Sequence, residues 1–304
     1  MALRRRRRGK TLMLGAIEAG GTKMVVAVAR DADTILARQE LPTTAPAETF
    51  AAIIDFLARH APFEAIGVAS FGPVEVNPTS PNYGTILKTP KPHWSGASFA
   101  DALKRFACPV AVDSDVNGAA LAEWRAAQGE GVRNLAYATV GTGIGVGVVR
   151  GGKTLAGMHH FEMGHFRPAR DAGRDPFEGS CPFHGACLEG LASGPAIIRR
   201  WGKPLSDCGP EAVAIIANYL GQMCVTIILA HMPDRIMLGG GVMKTSGLIE
   251  AVRAETRALL NGYIGAKRLE GDLSDYIARP TLGDNAGVTG ALLLAQGAHQ
   301  AKGS

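Results

Sequence analysis

Four side chains carry the donor atoms of a tetrahedral metal site. His165, Cys181, His184 and Cys187 follow the spacing H-x15-C-x2-H-x2-C. Two thiolates and two imidazoles make a complete ligand set for zinc, and four protein ligands leave no open coordination position. The pattern therefore predicts a structural zinc ion rather than a catalytic one. The alternative at this point is two buried cysteines and two surface histidines that bind no metal.

The cysteine count fits metal binding better than a disulfide framework. The chain of 304 residues has five cysteines, an odd number at widely separated positions. Such a pattern argues against a set of structural disulfides. In a reducing compartment, two cysteines close to a histidine are more typical of metal ligands. The short apolar run at residues 11–17 lacks the cleavage site of a signal peptide, so we expect a cytoplasmic protein.

Two glycine-rich turns, each between two strand-like runs, could bind phosphate. The first glycine turn contains Gly20, Gly21, Thr22 and Lys23, and the second contains Gly141, Thr142 and Gly143. Successive backbone N–H groups in such turns can converge on an anion. Either turn alone could be a tight hairpin, and neither has the spacing of a P-loop. As a pair, one in each half of the chain, they predict that two turns hold the two ends of a polyphosphate.

One carboxylate is placed where a general base would be needed. Asp115 comes just after a buried strand predicted at 109–113 and just before a predicted helix, where α/β proteins place reactive groups. A carboxylate there could act as a general base and accept the proton of a substrate hydroxyl. The alternative is that Asp113, Ser114 or Asp115 only caps the helix.

The elements that must position these residues form two α/β units. Each unit begins with a strand, a glycine turn and a second strand, and continues with alternating helices and strands. Helices are predicted over 47–60, 97–107, 117–128, about 190–201, 210–231, near 246–261 and 285–298. The repeated opening indicates an internal pseudo-duplication. A length of about 300 residues also favours two domains.

Taken together, these motifs resemble the ROK family of sugar kinases. The resemblance rests on both glycine turns, on the run from Asp113 to Asn117 and on the run from Glu162 to His165, and it covers about residues 13–296. It implies two ribonuclease-H-like, or actin-like, α/β domains around a central cleft. We expect a basic tail at 1–10, a small domain at 11–116 and a large domain at 117–284 with a metal loop at 157–190. The helix at 285–299 is expected to pack back on the small domain.

The resemblance also implies roles for individual residues. It makes Asp115 the general base of an ATP-dependent hexose kinase that uses Mg²⁺. Sugar contacts or pocket-wall positions are implied at Gly72, Gly96, Ser114, Glu162, His165 and Glu189. Adenosine contacts are implied at Gly239, Gly240 and Gly241. His165 would bind zinc through one ring nitrogen and a sugar hydroxyl through the other.

The fructokinase branch of this family is favoured by three features. These are Glu18, His184 and the stretch from Pro81 to Trp94. We therefore expect phosphorylation of D-fructose at O6 by a homodimer. The alternatives within the family are a gluco- or mannokinase and a non-catalytic, sugar-sensing repressor.

The charge distribution bears on possible partners. The net charge is +5, but Arg4 to Arg8 and Lys10 account for it, and the rest of the chain is close to neutral. Such a basic block can bind nucleic acid or an anionic surface, but more often is a solvated tail. No apolar run of about 18 residues follows it. We expect neither a nucleic-acid nor a membrane partner.

Overall fold

The computed structural model describes residues 13–303, so the basic block at residues 4–8 lies outside the described residues. The chain divides into two compact units. The described part of unit 1 comprises residues 13–115 and 288–303, and unit 2 comprises residues 116–287. Each unit contains one five-stranded sheet.

The strands are β1 Leu14–Ala19, β2 Lys23–Ala29, β3 Ile35–Pro42, β4 Ala65–Ser70, β5 Val110–Ser114, β6 Asn134–Val140, β7 Ile144–Arg150, β8 Lys153–Thr154, β9 Arg235–Gly239 and β10 Ile277–Ala278. The α-helices are α1 Pro46–Ala58, α2 Phe99–Leu103, α3 Asp115–Ala126, α4 Leu188–Ala192, α5 Gly194–Trp201, α6 Pro210–His231, α7 Leu248–Leu260 and α8 Ala286–Gly303.

The sheet of unit 1 has the order β3-β2-β1-β4-β5. Strands β1, β2 and β3 form an antiparallel meander, whereas β1, β4 and β5 are parallel. Every residue of β4 is buried, as expected for a parallel strand covered on both faces. In register, Ala19 pairs with Ser70 and Ser70 with Ser114. The three strands therefore end at one edge of the sheet.

Helix α8 covers one face of this sheet. Its residues Val288, Ala291, Leu292 and Ala295 form a buried cluster with residues of β1, β2 and β4. The contact with β4 is very close, since a Cβ atom on Gly67 would lie 1.9 Å from the carbonyl oxygen of Ala291. Only glycine permits this approach between helix and strand.

The sheet of unit 2 has the order β10-β9-β6-β7-β8. Strands β6 and β7 form an antiparallel hairpin, and β9 and β10 run parallel to β6. Its core centres on α6, which packs against α7 and contributes eleven buried residues. Among the described residues, α6 is also the one helix with the length and hydropathy of a membrane span. Because 61% of its most apolar window is buried within the protein, packing accounts for that composition.

The metal loop is irregular, but a buried ion pair fixes it to the helices of unit 2. Asp175 is 2% exposed and lies 2.7 Å from the guanidinium of Arg200 on α5. The hydroxyl of Tyr219 on α6 donates a second hydrogen bond to the same carboxylate. Arg170 donates to the backbone carbonyls of Asp175 and Phe177. The loop is thus attached to the core independently of any metal.

The helix predicted at about 190–201 is interrupted. Ser193, which is extended with φ −69° and ψ 159°, separates α4 from α5. Two features explain the break. The Ser193 hydroxyl accepts a hydrogen bond from the N–H of Ala196, which caps the new helix. The proline at 195 also suits a first helical turn but not a helix interior.

Candidate functional site

In the first glycine turn, the carbonyl groups accept hydrogen bonds from other residues, whereas two backbone N–H groups remain available. Thr43 donates its hydroxyl to the Gly20 carbonyl at 2.8 Å and its N–H to the Thr22 carbonyl at 3.0 Å. The ammonium of Lys91 donates to the carbonyl of Gly21. Within residues 13–303, the N–H groups of Gly21 and Thr22 have no hydrogen-bond acceptor. This arrangement suits an anion.

The ammonium of Lys23, the last residue of the first glycine turn, pairs with a carboxylate outside that turn. Its ammonium is 3.1 Å from the carboxylate of Glu40 on β3, and both side chains are more than half exposed. The sequence predicted a phosphate donor at this position. That role of Lys23 stays a prediction, and a second cation, Lys91, contacts the turn backbone, which sequence reasoning missed.

Asp115 and Glu18 bring two carboxylates to the same edge of the sheet. Asp115 is the first residue of α3, directly after β5, and Glu18 is the penultimate residue of β1. Burial, and then the negative charge of Asp115, raise the pKa of Glu18, while Lys23 and Arg38 oppose the shift. The Oε2 atom of Glu18 is buried with no hydrogen-bond partner among the described residues. An orphaned carboxylate oxygen beside a second carboxylate fits a hard cation such as Mg²⁺.

Three of the predicted sugar-contact positions belong to unit 1. Gly72 follows β4, and Ser114 is the buried last residue of β5, so both lie at the edge that carries Asp115. The N–H of Ser114 donates to the Oδ1 of Asp113 at 2.7 Å. Gly96 lies in the long connection between β4 and α2, where it has φ +87°. A residue with a side chain would be strained there.

The second glycine turn is held by Glu189, which lies in the metal loop, and by Gly194, which follows that loop. It is closed by the N–H of Gly141 donating to the Gly143 carbonyl at 2.9 Å. The Gly141 carbonyl accepts from the N–H of Gly194 at 2.7 Å. Glu189 accepts from the N–H of Ile144 at 2.9 Å. A Cβ atom on Gly143 would lie 2.8 Å from this carboxylate, so a larger residue there would displace the Glu189 side chain.

The predicted adenosine-contact residues lie beside the second glycine turn. Thr139 pairs with Gly239, so β6 and β9 end at the same edge of the sheet of unit 2. Gly240 has φ +93°, and a Cβ atom there would lie 2.4 Å from the Val140 carbonyl. A Cβ atom on Gly141 would lie 4.0 Å from the N–H nitrogen of Gly241. The structure thus brings these two glycine-rich segments together.

The four predicted metal ligands also come together. One donor atom from each of His165, Cys181, His184 and Cys187 lies within 4.8 Å of all the others. The Nδ1 atom of His165 is 3.4 Å from the sulfur of Cys187 and 3.8 Å from that of Cys181, and the Nδ1 atom of His184 is 3.7 Å from the sulfur of Cys181. Burial raises the pKa of Cys187 to about 11. A metal ion would offset that cost by binding the thiolate.

The other ring nitrogen of His165 faces an acidic residue. Its Nε2 atom is 3.9 Å from the carboxylate of Glu162, which is about half exposed. Glu162 also lies 3.6 Å from His160. His160 is only 9% exposed, although it lies in an irregular loop. Its burial beside Glu162 follows from the packing of the metal loop, which no local pattern indicated.

Glu123 is a further residue that sequence reasoning missed. It lies on α3, is fully buried, and accepts hydrogen bonds from the N–H and hydroxyl of Thr281 and from the N–H of Leu282. The carboxylate therefore ties α3 to the segment that leads into α8. Its partners are about 160 residues away in sequence, so only an unusual charge on an otherwise apolar helix face could have signalled this role.

Comparison with known proteins extends these observations. The ROK family model matches residues 14–298. The chain is 43% identical over 290 residues to a fructokinase from Pediococcus pentosaceus. The match covers 94% of this chain and 99% of the relative. A fructokinase from Zymomonas mobilis is also 43% identical, over 92% of this chain and 95% of its own length.

A solved structure shows the same fold. The ROK hexokinase from Thermus thermophilus superimposes with a TM-score of 0.75 at 28% identity, covering 96% of this chain and all of that one. The expected α/β class with two actin-like domains is confirmed by this similarity. The two glycine turns, the acidic edge of unit 1 and a family match over nearly the whole chain lead to one assignment. The protein is a member of the ROK family of sugar kinases.

Proposed function

We propose that this protein transfers the terminal phosphoryl group of ATP to the O6 hydroxyl of D-fructose. Fructokinases 37–43% identical over 90% or more of the chain support this activity and substrate. The structural observation that carries the proposal is the edge of the unit 1 sheet. There the first glycine turn and Asp115 follow parallel strands that end in register.

Asp115 is proposed as the general base. Its carboxylate accepts the proton of the sugar hydroxyl as the hydroxyl oxygen bonds to the γ-phosphorus and the bond to the bridging oxygen of ADP breaks. Positioned bases of this kind contribute about 10²–10⁴-fold to a rate. The N–H groups of Gly21 and Thr22 hold phosphate oxygens in place while charge redistributes.

Mg²⁺ is the cofactor that an ATP-dependent sugar kinase requires, since it neutralises phosphate charge. Glu18 is the residue of unit 1 proposed to hold it, directly or through water. Its orphaned Oε2 atom and the neighbouring charge of Asp115 support this role.

We further propose that zinc occupies the four-residue His/Cys cluster. The donor set is two sulfurs and two imidazole nitrogens, and four ligands leave zinc no reactive position. Its role is structural. Bound zinc would hold His165 by Nδ1, leaving Nε2 for a sugar hydroxyl beside Glu162 and Glu189. A homodimeric, cytoplasmic enzyme completes the proposal, and light scattering during gel filtration measures the oligomeric state.

The experiment that tests the activity is a coupled assay of ADP formation. Purified protein with Mg²⁺ and ATP is supplied in turn with fructose, glucose, mannose and no sugar. We expect the highest kcat/KM with fructose. A higher value with glucose or mannose would assign the chain to the gluco- or mannokinase alternative. Sugar binding without any ADP formation would instead support the repressor-like alternative.

A further inference from the structure

Lys91 belongs to a turn that is built to hold its position. The backbone N–H of Lys91 donates to the hydroxyl of Thr89 at 3.3 Å, and the N–H of Trp94 donates to the Lys91 carbonyl at 3.3 Å. Ser95 accepts from the N–H of Thr89 at 3.1 Å. These bonds close residues 89–95 into a compact loop with Lys91 near its centre.

A buried aromatic cluster fixes this loop to unit 1. Trp94 is fully buried and lies edge-on to Phe50 and Phe71, with ring centroids 5.5 Å and 5.3 Å away. Its indole N–H donates to the carbonyl of Thr44 at 2.9 Å. The neighbouring Thr43 binds two carbonyls of the first glycine turn. One scaffold therefore positions both the lysine and the turn.

Contact with the Gly21 carbonyl leaves the ammonium of Lys91 with capacity for a ligand. A carbonyl oxygen takes one of its three N–H donors and does not neutralise its charge. No carboxylate within the described residues forms an ion pair with Lys91, whereas the ammonium of Lys23 is paired with Glu40. The first glycine turn thus combines free backbone N–H groups with an unneutralised cation.

We propose that Lys91 binds the γ-phosphoryl group of ATP, the group that is transferred. This inference rests on the proposed kinase function. The turn follows β1 and Asp115 follows β5, with only β4 between them. Two strand spacings of about 4.8 Å separate the strand ends by roughly 10 Å. A sugar hydroxyl on Asp115 and a phosphoryl group on the turn fill a gap of that size. The phosphate on this turn is therefore the one that reacts.

The test compares Lys91→Met with Lys88→Met. Lys88 lies three residues earlier on the same connection, is exposed, and forms no hydrogen bond or ion pair with the described residues. Loss of one preorganised donor to a reacting oxyanion lowers kcat by about 10²–10³-fold. We expect K91M to lose that much kcat, with the fructose KM within about threefold of the parent, and K88M to behave like the parent.

Binding measurements separate phosphate contact from support of the turn. Calorimetric titration with ADP and with the non-hydrolysable analogue AMP-PNP should show that K91M weakens AMP-PNP binding at least about tenfold more than ADP binding. Lys91→Arg retains the charge and should recover part of the AMP-PNP affinity. It also keeps the test valid if K91M does not fold.

Three results would overturn the inference. The first is a K91M activity equal to that of K88M. The second is a K91M variant that loses ADP and AMP-PNP affinity equally. The third is a K91R variant that binds AMP-PNP no more tightly than a folded, inactive K91M. Failure of the kinase proposal itself is distinguishable, because the parent protein would then form no ADP with any hexose.

Discussion

The carboxylate of Glu189 accepts a hydrogen bond from the backbone N–H of Ile144 at 2.9 Å. Ile144 is the first residue after the second glycine turn, and Glu189 lies two residues after Cys187, which is in the His/Cys cluster. One hydrogen bond therefore connects the metal loop to a predicted phosphate-binding turn. The His/Cys cluster is therefore close in the chain to a residue that contacts the second glycine turn, as well as to the predicted sugar-contact residues.

Removing the Glu189 carboxylate should weaken ATP use as well as sugar use. A hydrogen bond to a charged group contributes about 1.5–3 kcal/mol, or roughly 10–100-fold. We expect Glu189→Ala to raise KM for both substrates, with the ATP value up by about tenfold. Glu189→Gln can still accept from Ile144, so its ATP KM should stay near that of the parent while its fructose KM rises. A Glu189→Ala enzyme with an unchanged ATP KM would refute the link.

Zinc removal should destabilise the protein and impair ATP binding through the same connection. Metal analysis should find about one zinc per chain. Binding to zinc-finger peptides is worth about 10–16 kcal/mol, so chelation should lower Tm by about 10 °C or more. Cys181→Ser should reproduce the loss, whereas Cys208→Ser, outside the cluster, should retain zinc and Tm. Full zinc content in Cys181→Ser would contradict the four-ligand site.

Asp115→Asn should abolish turnover while sugar binding persists. The amide keeps the size of the carboxylate but cannot accept the hydroxyl proton, so kcat should fall by about 10²-fold or more. Calorimetry should give a fructose affinity within a few-fold of the parent value. Asp101→Asn, an exposed carboxylate elsewhere in unit 1, serves as the control. A D115N variant with parental kcat would exclude Asp115 as the base.

Glu18→Gln should stabilise the free protein at neutral pH while lowering its activity. Because burial and Asp115 raise the pKa of Glu18 above 4.5, the folded protein binds its proton more tightly than the unfolded chain does. Ionised Glu18 therefore costs stability, and that cost appears as pH rises above 4.5. The gain in unfolding free energy from E18Q, measured by urea denaturation, should be present near pH 7 and vanish below pH 4.5.

Glu40→Gln, at an exposed position on β3, controls for the loss of one negative charge. An E18Q variant that is no more stable than the parent near neutral pH would contradict the prediction, because it would show that ionised Glu18 costs the folded protein no stability. Activity should fall in E18Q and recover in part at higher Mg²⁺ concentration, because the residue is proposed to hold the cation.

Features encoded by neighbouring residues were predictable from the sequence. Glycine turns between strands have local signatures, and the spacing C-x2-H-x2-C confines three of the four ligands to seven residues. The structure brings these ligands together with His165. The position of Asp115 after a buried strand was also readable, since the hydrophobic run at 109–113 precedes a helix.

Features that depend on distant contacts could not be predicted in the same way. Lys91 contacts Gly21 across 70 positions, and Glu123 contacts Thr281 across 158. Nothing near Lys91 in the sequence indicates this contact, and the apolar face around Glu123 signals burial of the carboxylate but not its partner. The break at Ser193 was missed because the apolar spacing on both sides suggests one helix, whereas the serine cap and the following proline favour two.

The contact between Gly67 and Ala291 affects how the chain folds as it is made. The core of unit 1 needs α8, whose residues leave the ribosome more than 200 positions after β4. At about 5–20 residues per second, β4 waits roughly 10–45 s for its covering helix. Unit 2 is continuous in sequence and can fold in that interval. During that interval the nascent chain exposes the apolar sheet face that α8 later covers. A chaperone would be of most use in this period.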